Sequence, residues 1–517
     1  MRKKAETRNV PITSLENSVL ELYGLDQNAV ESLSSTNLGD LVIINVTLKP
    51  DYPPCPRCGH EHPNVCNYVD KTITHSILHN CRCQINYHAR RYKCPVCNRT
   101  WYEFNPFVFK KQRISVSTVV CVLEEMRDPA VTFTSVAKRY NLSPTTVQHI
   151  FDDHVQIPKA TTLPRVLQLD ETYSFKSGTS VYVCMLLDYD TQTAVDLLPS
   201  RKKQDLIDFF SSFPLEERQK VRFIAADMYE TYRVVCKKFF PDAIYACDRF
   251  HVMQEFNRRL TEVRIRTMKG TLKGSDEYYL LKHQNHLLGI KPNAKKRIKN
   301  PDPYSKKKKD IWVNVFDPNG ERTYNAHFKT WLNEYELREL LLSISDDLTE
   351  AYEMRNTLSE FFRNGTKADA ADRLQVILAD LNRSQVKELN AFGQTVVNWF
   401  REIVNSFEIV KTEYVVDKKN GKARRKDHRL TSSMIENRNK LVKQIKNNAN
   451  GYTNWKRFRN RVLYVLNRPV FRLEPSRKKT RERNDSPGSP LNKNEVLKPQ
   501  AFEKLVGIKT STKFRAP

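Results

Sequence analysis

The chain has 517 residues, 39% of them hydrophobic, with 86 Lys+Arg against 59 Asp+Glu and a formal net charge of +27. That length calls for several domains and supplies apolar material for at least one sizeable core, and a pI near 9.5 points to a polyanionic partner. No stretch approaches the roughly 20 apolar residues of a membrane helix, and the start MRKKAETRNVPI lacks the apolar run of a secretory leader, so neither membrane insertion nor export is expected.

Residues 1–50 read as a leader, with a helical stretch SLENSVLELYGL and an apolar strand DLVIINVTL. Residues 51–103 read as a zinc-ribbon domain. Cys55-Pro-Arg-Cys58-Gly and Cys94-Pro-Val-Cys97-Asn each put two thiolates on one tight turn, and 35 residues separate the two pairs. Strand-like pieces, TITHSIL and QINYHARRYK, lie between them. Two such knuckles at the tips of adjacent hairpins make a tetrahedral four-thiolate site for a structural Zn²⁺. In a chain without an export signal, cysteines in this pattern read as metal ligands rather than disulfides. Cys66, Cys81, Cys83, His60, His62, His75 and His79 read as core or surface residues, and the run His88–Lys93 as a basic face suited to phosphates.

Residues 104–155 read as a helix-turn-helix DNA-binding domain. In TFTSVAKRYNLSPTTVQHIF, Val136, Ala137 and Tyr140 belong to a first helix and Val147 and Ile150 face inward from a second. Ser143-Pro144 is a helix start, with Ser as N-cap and Pro in the first turn. Asn141 stands where the turn needs a residue that accepts a left-handed backbone. Thr145, Thr146, Gln148 and His149 then project toward a major groove, with Lys138 and Arg139 toward phosphates.

From 164 the pattern becomes strands and helices. RVLQLD, VYVCMLLDYD, TAVDLLP, VRFIAAD and AIYACD read as strands, and QDLIDFFSSF, MYETYRVVCKKFF and FHVMQEFNRRLTEV as helices. Three strands followed by alternation predict a mixed α/β sheet with helices on its faces. Residues 164–252 form the first part of this core, and 253–430 a charged helical insertion with a basic exposed loop, KPNAKKRIKNPDPYSKKKKD. Residues 431–470 supply its C-terminal helices, and 474–517 a basic disordered tail.

Asp170 and Asp227 each follow an apolar strand. If those strands are neighbours, both carboxylates emerge at one edge and repel unless a cation lies between them. Mg²⁺ suits that setting, and two ions about 4 Å apart assist phosphodiester cleavage. Glu436, in the first turn of a helix among basic residues, is the best candidate for a third acid. Glu171, Asp188, Asp190, Asp196, Glu230 and Asp248 compete on composition, and His251 reads as structural.

The order of CPRCG, CPVC, the two-helix unit, LDE, D-x-x-x-x-Y and CDRFH, then E-N-x-N-K-x-x-K-x-I-K and G-Y-x-N-W-x-x-F-R-x-R, resembles the ISL-three family of bacterial insertion-sequence transposases over roughly 50–467. The resemblance implies a ribonuclease H-like catalytic domain with a DDE triad, carried here by Asp170, Asp227 and Glu436 with two Mg²⁺. It also implies cleavage and strand transfer at terminal inverted repeats, double-stranded DNA as partner, and a homo-oligomer on paired ends in the bacterial cytoplasm. The family's Asn-Gly before the last acid and Gly after it are replaced by Ser433-Met434-Ile435 and Asn437. A catalytically inactive DNA-binding regulator and a ribonuclease H-like nuclease without strand transfer fit the same residues.

Overall fold

A computed structural model describes residues 20, 23, 25, 27–76, 82–177, 180–298, 311–416, 423–431 and 433–469. The chain divides into two units, one of residues 1–158 with 441–517 and one of residues 159–440. The leader helix expected at SLENSVLELYGL falls largely outside the described residues, as do most of the basic loop at 291–310 and the tail at 474–517.

In the first unit, strands β1 (Val30–Asn37), β2 (Leu41–Leu48), β3 (Asn64–Thr74) and β4 (Arg82–Lys93) form a sheet in the order β1-β2-β4-β3, with β5 (Thr100–Tyr102) paired to β4. Alternation drives it: Val42, Ile44 and Val46 of β2 and Ile85, Tyr87 and Ala89 of β4 point to one buried face with Phe107. The leader strand and the cysteine region therefore share one sheet. β3 and β4 are antiparallel with Asn64 opposite Lys93, so both CxxC turns lie at the same end of that pair.

Three helices follow: α1 (Val116–Glu125), α2 (Phe133–Arg139) and α3 (Pro144–His154). Thr132 and Ser135 cap α2 reciprocally, as each side chain accepts the other's amide at 3.0 and 2.9 Å. Asn141 adopts φ +51°, the left-handed turn its chemistry tolerates. The Ser143 hydroxyl then accepts the Thr146 amide at 3.0 Å, and Pro144 opens α3. Val136, Ala137, Tyr140, Val147, Ile150 and Phe151 bury against Val122 and Leu123 of α1.

The helix Trp455–Asn467, expected with the catalytic core, instead packs on α1–α3. Tyr464 Oη donates to the Leu123 carbonyl at 2.9 Å, and the fully buried Arg461 donates to the Asp128 and Val131 carbonyls at 2.9 and 3.1 Å. Asn450 at φ +54° and Gly451 at φ +103° break the chain just before it.

In the second unit, β6 (Val166–Ser177), β7 (Ser180–Asp188), β8 (Ala194–Leu198), β9 (Phe223–Ala226) and β10 (Ile244–Cys247) form a mixed sheet in the order β10-β9-β6-β7-β8. β6–β7–β8 is an antiparallel meander, while β9 runs parallel to β6 and β10 parallel to β9. α4 (Lys203–Ser211) and α5 (Leu215–Gln219) precede β9, and α6 (Glu230–Phe239) joins β9 to β10. One sheet face, with Leu167, Leu169, Leu186 and Ile224, buries against Leu206, Phe210, Tyr232 and Val235 of these helices. The other, with Val166, Ala225 and Ala246, packs on Val410, Leu430 and Met434.

α7 (Arg249–Lys269), α8 (Asp276–His283), α9 (Glu334–Leu342), α10 (Asp346–Asn364), α11 (Ala370–Arg383) and α12 (Lys387–Asn405) carry the expected helical insertion. It also holds three two-stranded ribbons: β11 (Lys295–Ile298) with β12 (Ile311–Asn314), β13 (Thr323–Asn325) with β14 (Thr330–Leu332), and β15 (Ile409–Val416) with β16 (Ala423–Arg429). Part of the expected basic loop is thus a ribbon strand. α13 (Ser433–Asn448) closes the second unit with its first half. Among the described residues, no helix is long and apolar enough to cross a membrane.

Candidate active site and metal centre

The acidic pair follows from strand register. β6 and β9 are parallel with Gln168 opposite Ala225, and two residues further on stand Asp170 and Asp227. Asp227 lies just past the end of β9. Asp170 does not end its strand as expected: β6 runs on to Ser177, with Thr172 paired to Val183, Tyr173 to Tyr182 and Ser177 to Ser180 of β7. Strand alternation puts Asp170 on the face of Val166 and Gln168, and Glu171 on the opposite one.

Asp170, Asp227 and His251 each offer a ligand atom, and these atoms lie within 4.8 Å of one another. His251 comes from the first turn of α7, which Asp248 starts by accepting the Phe250 amide at 3.1 Å, and its Nε2 pairs with an Asp227 carboxylate oxygen. The Asp227 backbone carbonyl is held by the Tyr245 hydroxyl at 2.9 Å. Asp170 accepts the Asn439 amide NH₂ at 2.7 Å and the Glu171 backbone amide at 2.8 Å. Asn439 lies one helical turn beyond Glu436 and is buried, and its own Oδ1 has no partner among the described residues.

Glu436 is not part of the tight cluster. It sits in the first turn of α13, half-buried, where burial and then the charge of Asp248 push its pKa up, while His251 and Lys440 oppose. Asp227 bears on it in the same direction as Asp248. Asp227 thus bears on both Asp170 and Glu436, and His251 lies closest to the Asp170–Asp227 pair. The competing acids have other work. Glu171 pairs with Arg201 and accepts the Tyr232 hydroxyl at 3.1 Å. Asp190 pairs with Arg165 at 3.0 Å and Glu230 with Arg233, while Asp188 caps its turn at the Asp190 amide at 2.9 Å.

The energetics of the two acids favour added positive charge. Burial raises the Asp170 carboxyl, the charge of Asp227 raises it further, and the result is about 7 despite His251. Burial pushes His251 down, but the hydrogen bond and charge of Asp227 outweigh it and hold the imidazole at about 9. Two repelling carboxylates and a buried, unpartnered amide oxygen fit a hard divalent cation.

The second metal-capable group is Cys55, Cys58, Cys94 and Cys97, whose sulfurs lie within 4.8 Å of one another. The two knuckles repeat one geometry. Cys55 N bonds the His60 carbonyl at 2.8 Å and Gly59 N the Cys55 carbonyl at 2.9 Å; Cys94 N bonds Arg99 at 2.9 Å and Asn98 N bonds Cys94 at 3.1 Å. Gly59 at φ +73° and Asn98 at φ +56° make the turns. Burial opposes ionisation, but the Cys58 and Arg57 amides draw the Cys55 thiol down to about 6.

Of the residues expected to face DNA, Thr145, His149 and Lys138 are exposed and Thr146 is half-buried. Gln148 and Arg139 are committed within the unit: the Gln148 carbonyl accepts Arg457 Nη1 at 2.9 Å, and Arg139 pairs with Glu125. His251 and Asn439 are what the sequence reading missed. CDRFH offered a hint of the first, since a His one turn after a capping Asp shares its helix end. Asn439 carried only its spacing from Glu436.

The model of the ISL-three transposase family, described as a transposase, matches residues 167–426, just over half of the chain. Asp170, Asp227 and His251 fall inside the match and Glu436 beyond it. No curated protein matches the chain.

Because the folded state holds the Asp170 proton more tightly than the unfolded chain does, the stability this provides is present at acid pH and lost as pH rises from about 4 through about 7. Asp170→Asn should therefore raise the melting temperature of metal-free protein, by roughly 1–3 kcal/mol in stability at pH 7 to 8 and by little at pH 4; equal gains at both pH values would contradict the origin in carboxylate repulsion. Asn439→Leu, which removes the donor to Asp170, should weaken Mg²⁺ binding by about 10–100-fold, read as the Mg²⁺ concentration that half-saturates the rise in melting temperature. An unchanged midpoint would show that Asn439 does not orient the acid.

Proposed function

The chain belongs to the ISL-three family of transposases, and on that premise we propose that it binds the terminal inverted repeats of a bacterial insertion sequence and cuts and joins DNA there through Asp170, Asp227 and Glu436. The carrying observation is the carboxylate pair set side by side by the β6–β9 register and left in want of a cation. The mixed sheet with its meander and two parallel strands supports a ribonuclease H-like reading of residues 164–252, and 253–430 is then its insertion. The four-thiolate group supports structural zinc in a ribbon over 51–103, with the strand of the leader added to its sheet. The capped α2–turn–α3 unit, with Asn141 left-handed, supports a helix-turn-helix in 104–155.

In this reading the residues divide the work. Thr145, Thr146 and His149 meet base edges, and Lys138 meets phosphates. Gln148 keeps only its amide NH₂ free for a base, since Arg457 holds its carbonyl and fixes its direction. Asp170 and Asp227, with Glu436, hold two Mg²⁺. Those ions, when bound, supply activation of the attacking oxygen and stabilisation of the leaving one. Asn439 fixes one oxygen of Asp170, and His251 keeps Asp227 turned toward it. Water, and then the freed 3′ hydroxyl, are the nucleophiles, so no covalent protein intermediate is invoked. Two copies working on paired ends, on DNA in the bacterial cytoplasm, complete the proposal.

Asp170→Asn and Asp227→Asn should each lower Mg²⁺-dependent nicking and joining of terminal-repeat DNA by roughly a thousandfold or more, with affinity for the repeat within twofold of wild type. A variant that still cuts ends the assignment, and wild-type protein that cuts without joining favours a nuclease. Strong chelators should remove one zinc per chain from the four-thiolate site, measured by atomic emission, with loss of repeat binding. Retained binding by the zinc-free protein would separate the ribbon from DNA recognition.

A further inference from the structure

A second charged site lies in the same unit as the acids. An open cleft of about 290 Å³ is lined by Arg249, Arg363 and Arg429, with Phe362, Phe407 and Thr431 among its walls. Arg249 and Arg363 are exposed and enter no ion pair among the described residues. Arg429 is fixed by carbonyls: it donates to Phe362 O at 3.0 Å and Gly365 O at 2.6 Å, and lies over the Phe407 ring at 4.9 Å. Lys291 and Arg355 belong to the same electrostatic cluster. Arg355 is buried, and its donors go to Gly289 O and Asn257 Oδ1 rather than to a carboxylate.

The cations act on one another. Burial lowers Lys291, and Arg363, Arg355 and Arg249 lower it further; burial lowers Arg429, and Arg249 adds to it. The nearby acids are already engaged. Asp427 lines the cleft but accepts Thr412 Oγ1 at 2.7 Å and Arg425 at 2.9 Å, and Asp369, which favours the Arg429 charge, accepts the Thr366 hydroxyl at 2.8 Å. His428, also in the wall, binds Glu413 at 3.1 Å. Five cations kept together without matched carboxylates repel, and an anion relieves that repulsion.

The position of the cleft names the anion. Arg249 directly follows Asp248, the N-cap of the helix that delivers His251. Thr431 accepts a hydrogen bond from Gln168, which stands two residues before Asp170 on the same strand face, about 7 Å along the strand. Guanidinium groups match the planar, two-oxygen geometry of phosphodiesters. We propose that Arg249, Arg363 and Arg429, with Lys291 and the buried Arg355 adding to their field, form a track for the phosphodiester backbone of the DNA strand being processed at Asp170 and Asp227. This rests on the transposase reading above, and it assigns DNA contact to the insertion as well as to the N-terminal unit.

The test uses the full chain and a short duplex lacking the terminal repeat, with affinity measured by fluorescence anisotropy across a salt series. Each phosphate contact contributes a slope of about −0.9 in log K against log salt. Arg249→Gln with Arg363→Gln should make the slope shallower by about 2 and slow terminal-repeat cleavage at least tenfold. Its melting temperature should not fall, since neither side chain holds a structural bond and the repulsion in the cleft is eased, and its shift on adding Mg²⁺ should stay as in wild type. Lys220→Gln with Arg322→Gln removes two charges elsewhere and should change the slope little. An unchanged slope in the cleft variant, or an equal change in the control, overturns the proposal. A wild-type chain whose duplex binding depends on the cleft but which never cuts DNA overturns the transposase chemistry and leaves the track standing.

Discussion

Two carboxylates forced together by a parallel strand pair are the constraint on which the rest of the second unit depends. β6 and β9 bring Asp170 and Asp227 abreast because Gln168 and Ala225 are in register and each acid stands two residues further along the chain. A slip of one residue would turn Asp170 to the opposite face, toward the apolar layer that holds Leu167 and Leu169. The two faces are chemically distinct. One carries Leu167, Leu169 and Ile224 into the main core, and the other carries Gln168 and Asp170 toward α13. Apolar burial on one side thus fixes the register, and the register fixes the acids.

The neighbours of the pair can be understood as answers to its repulsion. His251 supplies a positive charge from the start of α7, held there by the Asp248 cap. Asn439 supplies a neutral donor and leaves its oxygen uncommitted. Glu171, on the far face, is neutralised separately by Arg201, whose guanidinium lies 4.9 and 4.7 Å from the Tyr182 and Tyr229 rings. That arrangement keeps a third acid next in sequence from adding its full charge to the site. A carboxylate pair held this close costs stability, as expected where function sets residue choice against stability.

Much of this was legible in the sequence, and the reasons differ by element. The five strands of the mixed sheet were readable because buried runs such as VCMLLD and VRFIAA have no competing period. The start of α3 was readable because Ser143-Pro144 is a local instruction, met by the Ser143–Thr146 bond. Both CxxC turns were readable for the same reason. The length of β6 was not, since the polar DET segment looks like an ending when the pairing strand is unknown. The ribbons of the insertion were also hidden: ARRKDHR in β16 is polar on both faces, so no alternation marks it. Helix Trp455–Asn467 was readable as a helix, but an amphipathic pattern names a buried face and not the surface that covers it. Its partners, the Leu123, Asp128 and Val131 carbonyls, lie more than 300 residues away in sequence.

The site residues follow the same division. Asp170 and Asp227 drew notice because an acid after an apolar run stands out, although Asp170 lies inside its strand and only Asp227 follows the end of one. His251 and Asn439 act through geometry that only the assembled unit creates, so their sequence signal was a spacing with no chemistry attached. The same holds for the arginine cleft. Arg249, Arg363 and Arg429 are spread over 181 positions, from residue 249 to residue 429, and in a chain with 86 Lys+Arg no one of them is conspicuous. A net charge of +27 predicts a polyanion but says nothing of where it lies. What sets these cations together is that, beyond burial, they act on one another, with Arg363, Arg355 and Arg249 lowering Lys291 and Arg249 lowering Arg429. On a surface where Arg258, Arg259 and Arg322 are all paired, cations left to repel one another mark the place where charge is to be supplied by something else.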